Sequence, residues 1–512
     1  MDKDLESIQQ ARRLVERARI AADEFAHADQ ETVDAVVDAM GKAAEAAAAD
    51  LARLAVDETG MGRYEDKIVK NRFAAVDVRR YILPLKTCGV VREAPDVRVT
   101  ELAVPMGVVA ALLPTTNPTS TAIYKALIAV KARNAIVFSP HPRATQCSLE
   151  TVRVVAEGAK AAGAPSDLIV CMSIATLEGT RELMQHASTA VILATGGHDM
   201  VRAAYSSGTP AYGVGPGNVP AIVERTADVE RAVADIVAGK CFDYGLLCTA
   251  ENSLICDRPV ADQVRSELAR QSAVFVRGSE RGRLQRAMRD PKTGGIRSTI
   301  VGQSAVDIAR QAEIHVPGGT RVLVAECSEV GPSEFFSREK LSPVLAFYVE
   351  DGWEKCCERS IELLRYGGIG HSLVIHSNDE HVIQRFFEEK PAFRILVNTV
   401  AALGAVGYTT GLAPAMTLGP GTWGGSSTSD NITPLHLVNI KRLAYGIRPY
   451  VGIDAPAPDA SAERSEVPPP RLRVQASPPP SPPATPTPPM PDAEEIARVV
   501  EEFLAERRAA RS

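Results

Sequence analysis

Apolar residues recur at helical spacing through residues 3–59, an Ala- and Glu-rich stretch that predicts a succession of helices, and Val91 to Val104 then reads as an extended, hairpin-like segment. From Gly107 onward the period alternates. The apolar runs Val108–Leu113, Ala135–Phe138, Leu168–Met172 and Ala190–Ala194 predict strands. The 3.6-residue patterns at 117–130, Ala144–Ala162 and Leu177–His186 predict helices between them. Asn117-Pro118 has the residue types of an N-cap followed by a first helical position. Strands alternating with helices of this length imply a parallel sheet with right-handed crossovers. A second series, at Ser253–Cys256, Ala273–Val276, Arg321–Ala325, Val344–Val349, Leu373–Ile375 and Ile395–Asn398, has helical patterns between most of its members and predicts a second α/β domain.

The pattern changes after about Ile453. Residues 455–491 hold fourteen of the chain's 35 prolines and almost no large apolar side chains, so they cannot bury enough surface to fold and are expected to form an extended, disordered linker. Helical spacing returns over residues 492–508, where Ile496, Val499, Val500, Phe503 and Leu504 make one apolar stripe on a charged helix.

Composition narrows the function. A chain of 512 residues, 45% of them hydrophobic, can hold at least two ordinary domains. A formal charge of -6, with basic residues dispersed among acidic ones, argues against nucleic acid or an anionic membrane as partner. The charged amino-terminal residues and the lack of an apolar run of about 18 residues lead to the expectation of a cytoplasmic protein. Nine cysteines at irregular spacings do not form a disulfide framework, and neither CxxC nor HExxH is present, so no metal is expected.

Among these cysteines Cys248 stands out, because Asp243-Tyr244-Gly245-Leu246-Leu247-Cys248-Thr249-Ala250-Glu251-Asn252 places it after a helical pattern and before a strand, at the junction of the two series. A thiol presented there can attack a substrate while a cofactor lies within reach. Thr195-Gly196-Gly197 falls where a strand gives way to a helix and can receive a pyrophosphate or simply make a tight turn. Gly419-Pro420-Gly421-Thr422-Trp423-Gly424 matches GxGxxG without the strand that a dinucleotide fingerprint requires before it.

Taken in order, Pro114 to Ser120, Phe138 to Ala144, Ala194 to Gly197, Cys248 to Asn252, Glu339-Lys340-Leu341-Ser342-Pro343, Gly370-His371-Ser372 and Leu418 to Asn431 resemble the CoA-acylating aldehyde dehydrogenases. The resemblance extends to the aldehyde dehydrogenase module of the bifunctional aldehyde-alcohol dehydrogenases and to the acylating enzymes of bacterial microcompartments, and covers roughly residues 5–453. It implies two Rossmann-like parallel-sheet domains: a NAD-binding domain over 1–240, with an oligomerisation segment near 91–104, and a catalytic domain over 241–430. A closing and oligomerisation segment would span 431–454, giving a homo-oligomer.

The implied chemistry is oxidation of a short-chain aldehyde by NAD, with Cys248 carrying the acyl group as a thioester until coenzyme A removes it. Such a site is expected to contain a group that favours the thiolate. The resemblance offers Asn117 as oxyanion donor, against its reading as a helix cap. It offers His371 for proton or thiol transfer, against a structural histidine. Thr115, His141, Thr195, Gly196, Gly197 and Glu339 are assigned to the cofactor, Glu339 competing with a surface charge; Asn431 is a further candidate. Hydrolytic relatives carry a Glu-Leu-Gly-Gly glutamate that activates water, and the matching stretch here, Tyr212-Gly213-Val214-Gly215-Pro216-Gly217-Asn218, has no carboxylate. Their cofactor-binding Lys-Pro-x-Glu is replaced by His141-Pro142-Arg143-Ala144, which leaves NADP open as the dinucleotide.

The linker and residues 492–512 resemble an encapsulation peptide, implying shell proteins as partners and a microcompartment as location. Self-association, or packing of that helix on the enzyme's own body, are its alternatives. No iron-dependent alcohol dehydrogenase module follows, so only the acylating half-reaction is expected. The competing functions are a hydrolytic aldehyde dehydrogenase and a non-catalytic scaffold component.

Overall fold

A computed structural model of the chain describes residues 2–447 and Tyr450. The expected linker at 455–491 and helix at 492–512 lie outside the described residues. The body, Val99–Ala444 with the residues before Glu93, forms one compact unit.

Its amino-terminal part is helical, as the spacing predicts. In the helix Lys3–Phe25 the buried residues Ser7, Ala11, Val15, Ala18, Ala22 and Phe25 follow one another at three or four positions, and the Asp2 side chain accepts a hydrogen bond from Asp4 N to start it. Strands β1 (Gly89–Ala94) and β2 (Val99–Pro105) make the expected hairpin.

The first α/β series builds a five-stranded sheet from β3 (Val108–Leu112), β4 (Ala135–Ser139), β5 (Ile169–Cys171), β6 (Thr189–Thr195) and β7 (Ala211–Val214). These strands are all parallel and lie in the order β5-β4-β3-β6-β7. The chain winds outward from β3 and then returns to its other side, the order of a dinucleotide-binding sheet. Every residue of β3 and β4 is buried, which is why both strands read as unbroken apolar runs.

The second sheet has seven parallel strands: β8 (Val219–Val223), β9 (Glu251–Asp257), β10 (Ala273–Val276), β11 (Val322–Glu326), β12 (Val344–Glu350), β13 (Gly370–His376) and β14 (Ala392–Val397). Their order is β10-β11-β12-β9-β8-β13-β14. Because β8 pairs with β9 and β13, the chain changes sheets between Val214 and Val219, upstream of the boundary expected at 240. An apolar strand of this kind carries no local sign of the sheet it joins.

A last strand, β15 (Val438–Ala444), lies antiparallel to β2, with Val438 opposite Pro105 and Ala444 opposite Val99. The two segments assigned to oligomerisation thus meet in one three-stranded sheet, β1-β2-β15. Among the described residues no helix is long and apolar enough to cross a membrane, and no cluster of side chains could hold a metal ion.

Candidate active site

A cavity of about 440 Å³ opens at the carboxyl ends of the five-stranded sheet. Its wall takes Pro114–Asn117 from the loop after β3, Pro140–Pro142 after β4, Gly196 and Gly197 after β6, and Gly215 and Pro216 after β7. Ligands of open α/β sheets bind at this end, where strand order reverses. The opposite wall holds Leu246–Thr249 and Glu339, from the second domain. The cavity therefore collects Thr115, Asn117, His141, Thr195, Gly196, Gly197, Cys248 and Glu339, eight of the ten candidate site residues named from the sequence.

The nucleophile loop is set by an unusual turn. Asp243, Tyr244 and Gly245 all have left-handed backbones, with φ of 48°, 52° and 73°. The first two lack glycine's freedom, so surrounding contacts must hold them. Asp243 supplies these: its Oδ1 accepts from Arg63 N at 2.7 Å, its own N–H donates to Asp66 Oδ2 at 2.8 Å, and its Oδ2 accepts from Lys67 Nζ at 3.2 Å and from Lys70 Nζ. Beyond the turn, Thr249 Oγ1 donates to the Ala402 carbonyl at 2.9 Å, anchoring the far side of Cys248.

Nine cysteines are free, and only Cys248 lines the cavity. Burial and the Glu339 carboxylate push its thiol up to about 12, with Arg394 acting in the opposite sense. Arg394 is the expected group that favours the thiolate, and in the resting site burial and Glu339 outweigh it. A negative neighbour and low-dielectric surroundings both disfavour a second negative charge.

Asn117 precedes the helix Pro118–Lys131, yet its side chain makes no cap. Its Oδ1 accepts instead from Lys70 Nζ, while Nδ2 donates to Thr116 Oγ1 at 3.1 Å and approaches the Leu246 carbonyl at 3.4 Å. The expected Asn-Pro cap is thus absent, because a buried ammonium competes successfully for the amide oxygen. Freed from capping, the Asn117 side chain reaches the Leu246 carbonyl, two residues before Cys248, and both residues line the cavity.

Glu339 is recessed in the cavity wall and is no surface charge. Its Oε1 accepts from Gly217 N at 3.0 Å. Burial raises its carboxyl to about 7, against the opposing effects of that hydrogen bond, Lys240 and Lys340. It is the one acidic side chain on the cavity wall among the described residues. In the stretch where hydrolytic relatives place their glutamate, Gly213 N donates to Tyr205 Oη at 2.9 Å, and Val214, Gly215 and Pro216 form the wall.

His371 is fully buried and does not line the cavity. Burial and Arg394 lower it to about 3, so the ring is neutral at physiological pH. Its Nδ1 lies 3.1 Å from Ser372 Oγ and its Nε2 has no partner. Gly217 separates it from the nucleophile: a Cβ there would overlap the Cys248 carbonyl oxygen and stand 3.5 Å from His371 Cδ2. Asn431 does not line the cavity. Its Oδ1 accepts from Arg394 Nε at 2.7 Å and its Nδ2 donates to the carbonyls of Ala405 and Ala413. Arg394 also donates to the carbonyls of His371, Gly419 and Ser429, so the segment 418–431 is clamped onto the second sheet and is no dinucleotide fingerprint.

The residues fit a dinucleotide. Helix His198–Tyr205 begins at Gly197, which lines the cavity, and has no side-chain cap, so the end that attracts a pyrophosphate starts at the cavity wall. Helix Thr145–Ala161 differs: Glu58 accepts from Gln146 N and Cys147 N, closing that terminus, and Ala144 is buried beside Cys147 and Ala55. His141 remains at the cavity, its Nδ1 accepting from Arg143 N at 3.1 Å.

Lys67, Lys70, Asp243 and Arg394 carry no sequence signal that separates them from solvent-facing charges. Lys125, which donates to the carbonyls of Leu112 and Leu193 at 2.7 and 2.8 Å, sits in a helix that is buried along its whole length.

Comparison with known proteins places this geometry. Residues 4–285 match the model of the aldehyde dehydrogenase family. The bifunctional aldehyde-alcohol dehydrogenase of Escherichia coli (strain K12) is 43% identical over 436 residues, 84% of this chain and 49% of that protein. The chain thus spans about half the length of that relative. An acetylating aldehyde dehydrogenase from Geobacillus thermoglucosidasius is 47% identical, with a TM-score of 0.87 over 88% of this chain and 100% of its own. A propionaldehyde dehydrogenase from the fucose utilisation bacterial microcompartment of Clostridium phytofermentans is 25% identical, with a TM-score of 0.77 over 85% of this chain and 97% of its own. With its cysteine loop facing the carboxyl ends of a dinucleotide-binding sheet, the chain belongs to the aldehyde dehydrogenase family.

Proposed function

We propose that the protein is a CoA-acylating aldehyde dehydrogenase that converts a short-chain aldehyde and coenzyme A to acyl-CoA. One observation carries the reading: Cys248, Asn117 and Glu339 share a cavity with a helix N-terminus, and that cavity offers no second carboxylate to activate water. Cys248 releases its thiol proton to solvent and Sγ bonds to the aldehyde carbon, while Asn117 Nδ2 and the backbone N–H of Cys248 take up the negative charge on the oxygen. Thr195, Gly196, Gly197, Glu339, Thr115 and His141 line the cavity and would hold a nicotinamide dinucleotide, which would accept the hydride from the aldehyde carbon. The acyl group stays on Cys248 as a thioester. His371, buried beyond Gly217 with an unpartnered Nε2 and outside the cavity wall, is the residue we assign to assist acyl transfer to coenzyme A from behind that glycine.

Acetaldehyde and propionaldehyde, supplied with NAD and with or without coenzyme A, test the reading. With coenzyme A, acyl-CoA and NADH are expected in equal amounts. Without it, NADH is expected to stop near one equivalent per Cys248, with the acyl mass retained on the enzyme. Continued NADH formation with free carboxylate as product would instead establish hydrolysis.

The location belongs to the same proposal: the enzyme works inside a microcompartment, addressed by the apolar stripe within residues 492–512. Support comes from the stripe itself and from the likeness to a microcompartment enzyme. Deleting residues 455–512 is expected to leave acyl-CoA formation unchanged and to abolish co-purification with shell proteins. Undiminished co-purification would refute the address.

A further inference from the structure

We infer that Lys70 is a positioning residue for the oxyanion donor: it holds the Asn117 amide oxygen, so that the amide N–H faces the cavity, and Asp243 in turn holds Lys70. The inference rests on Asn117 being that donor.

The two ends of an asparagine amide have almost the same shape, so packing alone does not decide which faces the reacting oxygen. Lys70 decides it. An ammonium has three N–H donors and no acceptor, so it binds the amide oxygen and repels the amide NH2. With Oδ1 engaged by Lys70, Nδ2 is left to Thr116 Oγ1 at 3.1 Å and to the Leu246 carbonyl at 3.4 Å. The second contact is at the outer limit of a hydrogen bond, so that N–H is available to a better acceptor. The same side chain makes no helix cap, which removes the competing reason for its placement.

A buried cation persists only beside a compensating charge. Lys70 is 4% exposed, and Asp243, fully buried, supplies the compensation to both Lys70 and Lys67. The two lysines stand three residues apart on helix Tyr64–Arg72 and so share one face. They divide the loop before the next helix between them: Lys67 Nζ donates to the Thr116 carbonyl at 3.1 Å, and Lys70 takes the Asn117 side chain. Burial lowers Lys70 to about 8, Asp243 opposing that fall, Lys67 adding to it, and Asp66 opposing it more weakly. Below that pH the ammonium form predominates. Asp243 also fixes the left-handed turn that leads to Cys248, so one carboxylate ties the donor loop to the nucleophile loop. This gives a function to a turn whose strain has no local explanation.

The test is a double-mutant cycle on full-length enzyme, with kcat measured at saturating aldehyde, NAD and coenzyme A, and folding followed by Tm. Asn117→Ala is expected to lower kcat about 10²- to 10³-fold. Lys70→Met is expected to lower it about 10- to 100-fold, with the aldehyde KM changed less than about threefold, since the amide loses its orientation and keeps its place. In the Asn117→Ala background Lys70→Met is expected to cost no more than about twofold, because nothing remains to orient. Undiminished kcat in Lys70→Met, or the same fold-loss in both backgrounds, overturns the inference. An impaired Asn117→Ala beside an intact Lys70→Met removes the inference alone, whereas a fully active Asn117→Ala removes the reading of Asn117 with it. Should Lys70→Met not fold, Lys70→Leu, which likewise has no donor, carries the same cycle.

Discussion

Replacing Cys248 with alanine is expected to lower aldehyde-dependent NADH formation by at least about 10⁴-fold and to abolish the acyl adduct seen by intact-protein mass spectrometry. The loss is large because no second nucleophile can take over. Cys241 and Cys256 lie on either side of it in sequence but do not line the cavity, and the remaining cysteines lie on other elements. Folding is not at stake: the loop is held by Asp243 before the thiol and by Thr249 after it. Tm and nicotinamide binding should therefore stay close to those of the parent enzyme. Turnover above about one part in 10³ with an unaltered Tm would assign the chemistry to another group.

Much of this fold is written locally. Strands such as β3 and β4 are buried on both faces, so they read as short unbroken apolar runs, and the helices between them keep a 3.6-residue period. The convergence of Thr115, His141, Thr195–Gly197 and Cys248 follows from topology, since the first three sets occupy carboxyl ends of neighbouring parallel strands. What depends on distant partners is not local. Val219–Val223 looks the same whichever sheet it joins, and its pairing with β9 and β13 decides the domain boundary. Asn117-Pro118 has the composition of a helix start, yet Lys70 claims the asparagine side chain. Lys67 and Lys70 read as the solvated face of an amphipathic helix until Asp243, far along the chain, buries them. The state of Cys248 is likewise set from afar: reactive cysteines are usually found among positive groups, but here burial and then Glu339 outweigh Arg394 and reverse the expected direction.

That reversal gives Glu339→Gln two opposite effects. Glutamine keeps the size of the side chain and an oxygen for Gly217 N–H, but removes the charge. Turnover is expected to fall about 10²-fold in kcat/KM for the dinucleotide, because a recessed carboxylate is a much stronger hydrogen-bond acceptor than an amide. Alkylation of Cys248 by iodoacetamide is expected to move the other way, rising about tenfold at pH 8 for a fall of one unit in the thiol's pKa. The pH dependence separates the causes. In the parent enzyme the carboxyl titrates near 7, so on raising the pH through that value the thiolate gains tenfold per unit from the proton and loses part of that gain as Glu339 becomes charged. Its alkylation profile should flatten between about pH 6 and 8, whereas Glu339→Gln should keep the full slope throughout. Parallel profiles in the two proteins would mean that burial alone holds the Cys248 thiol protonated.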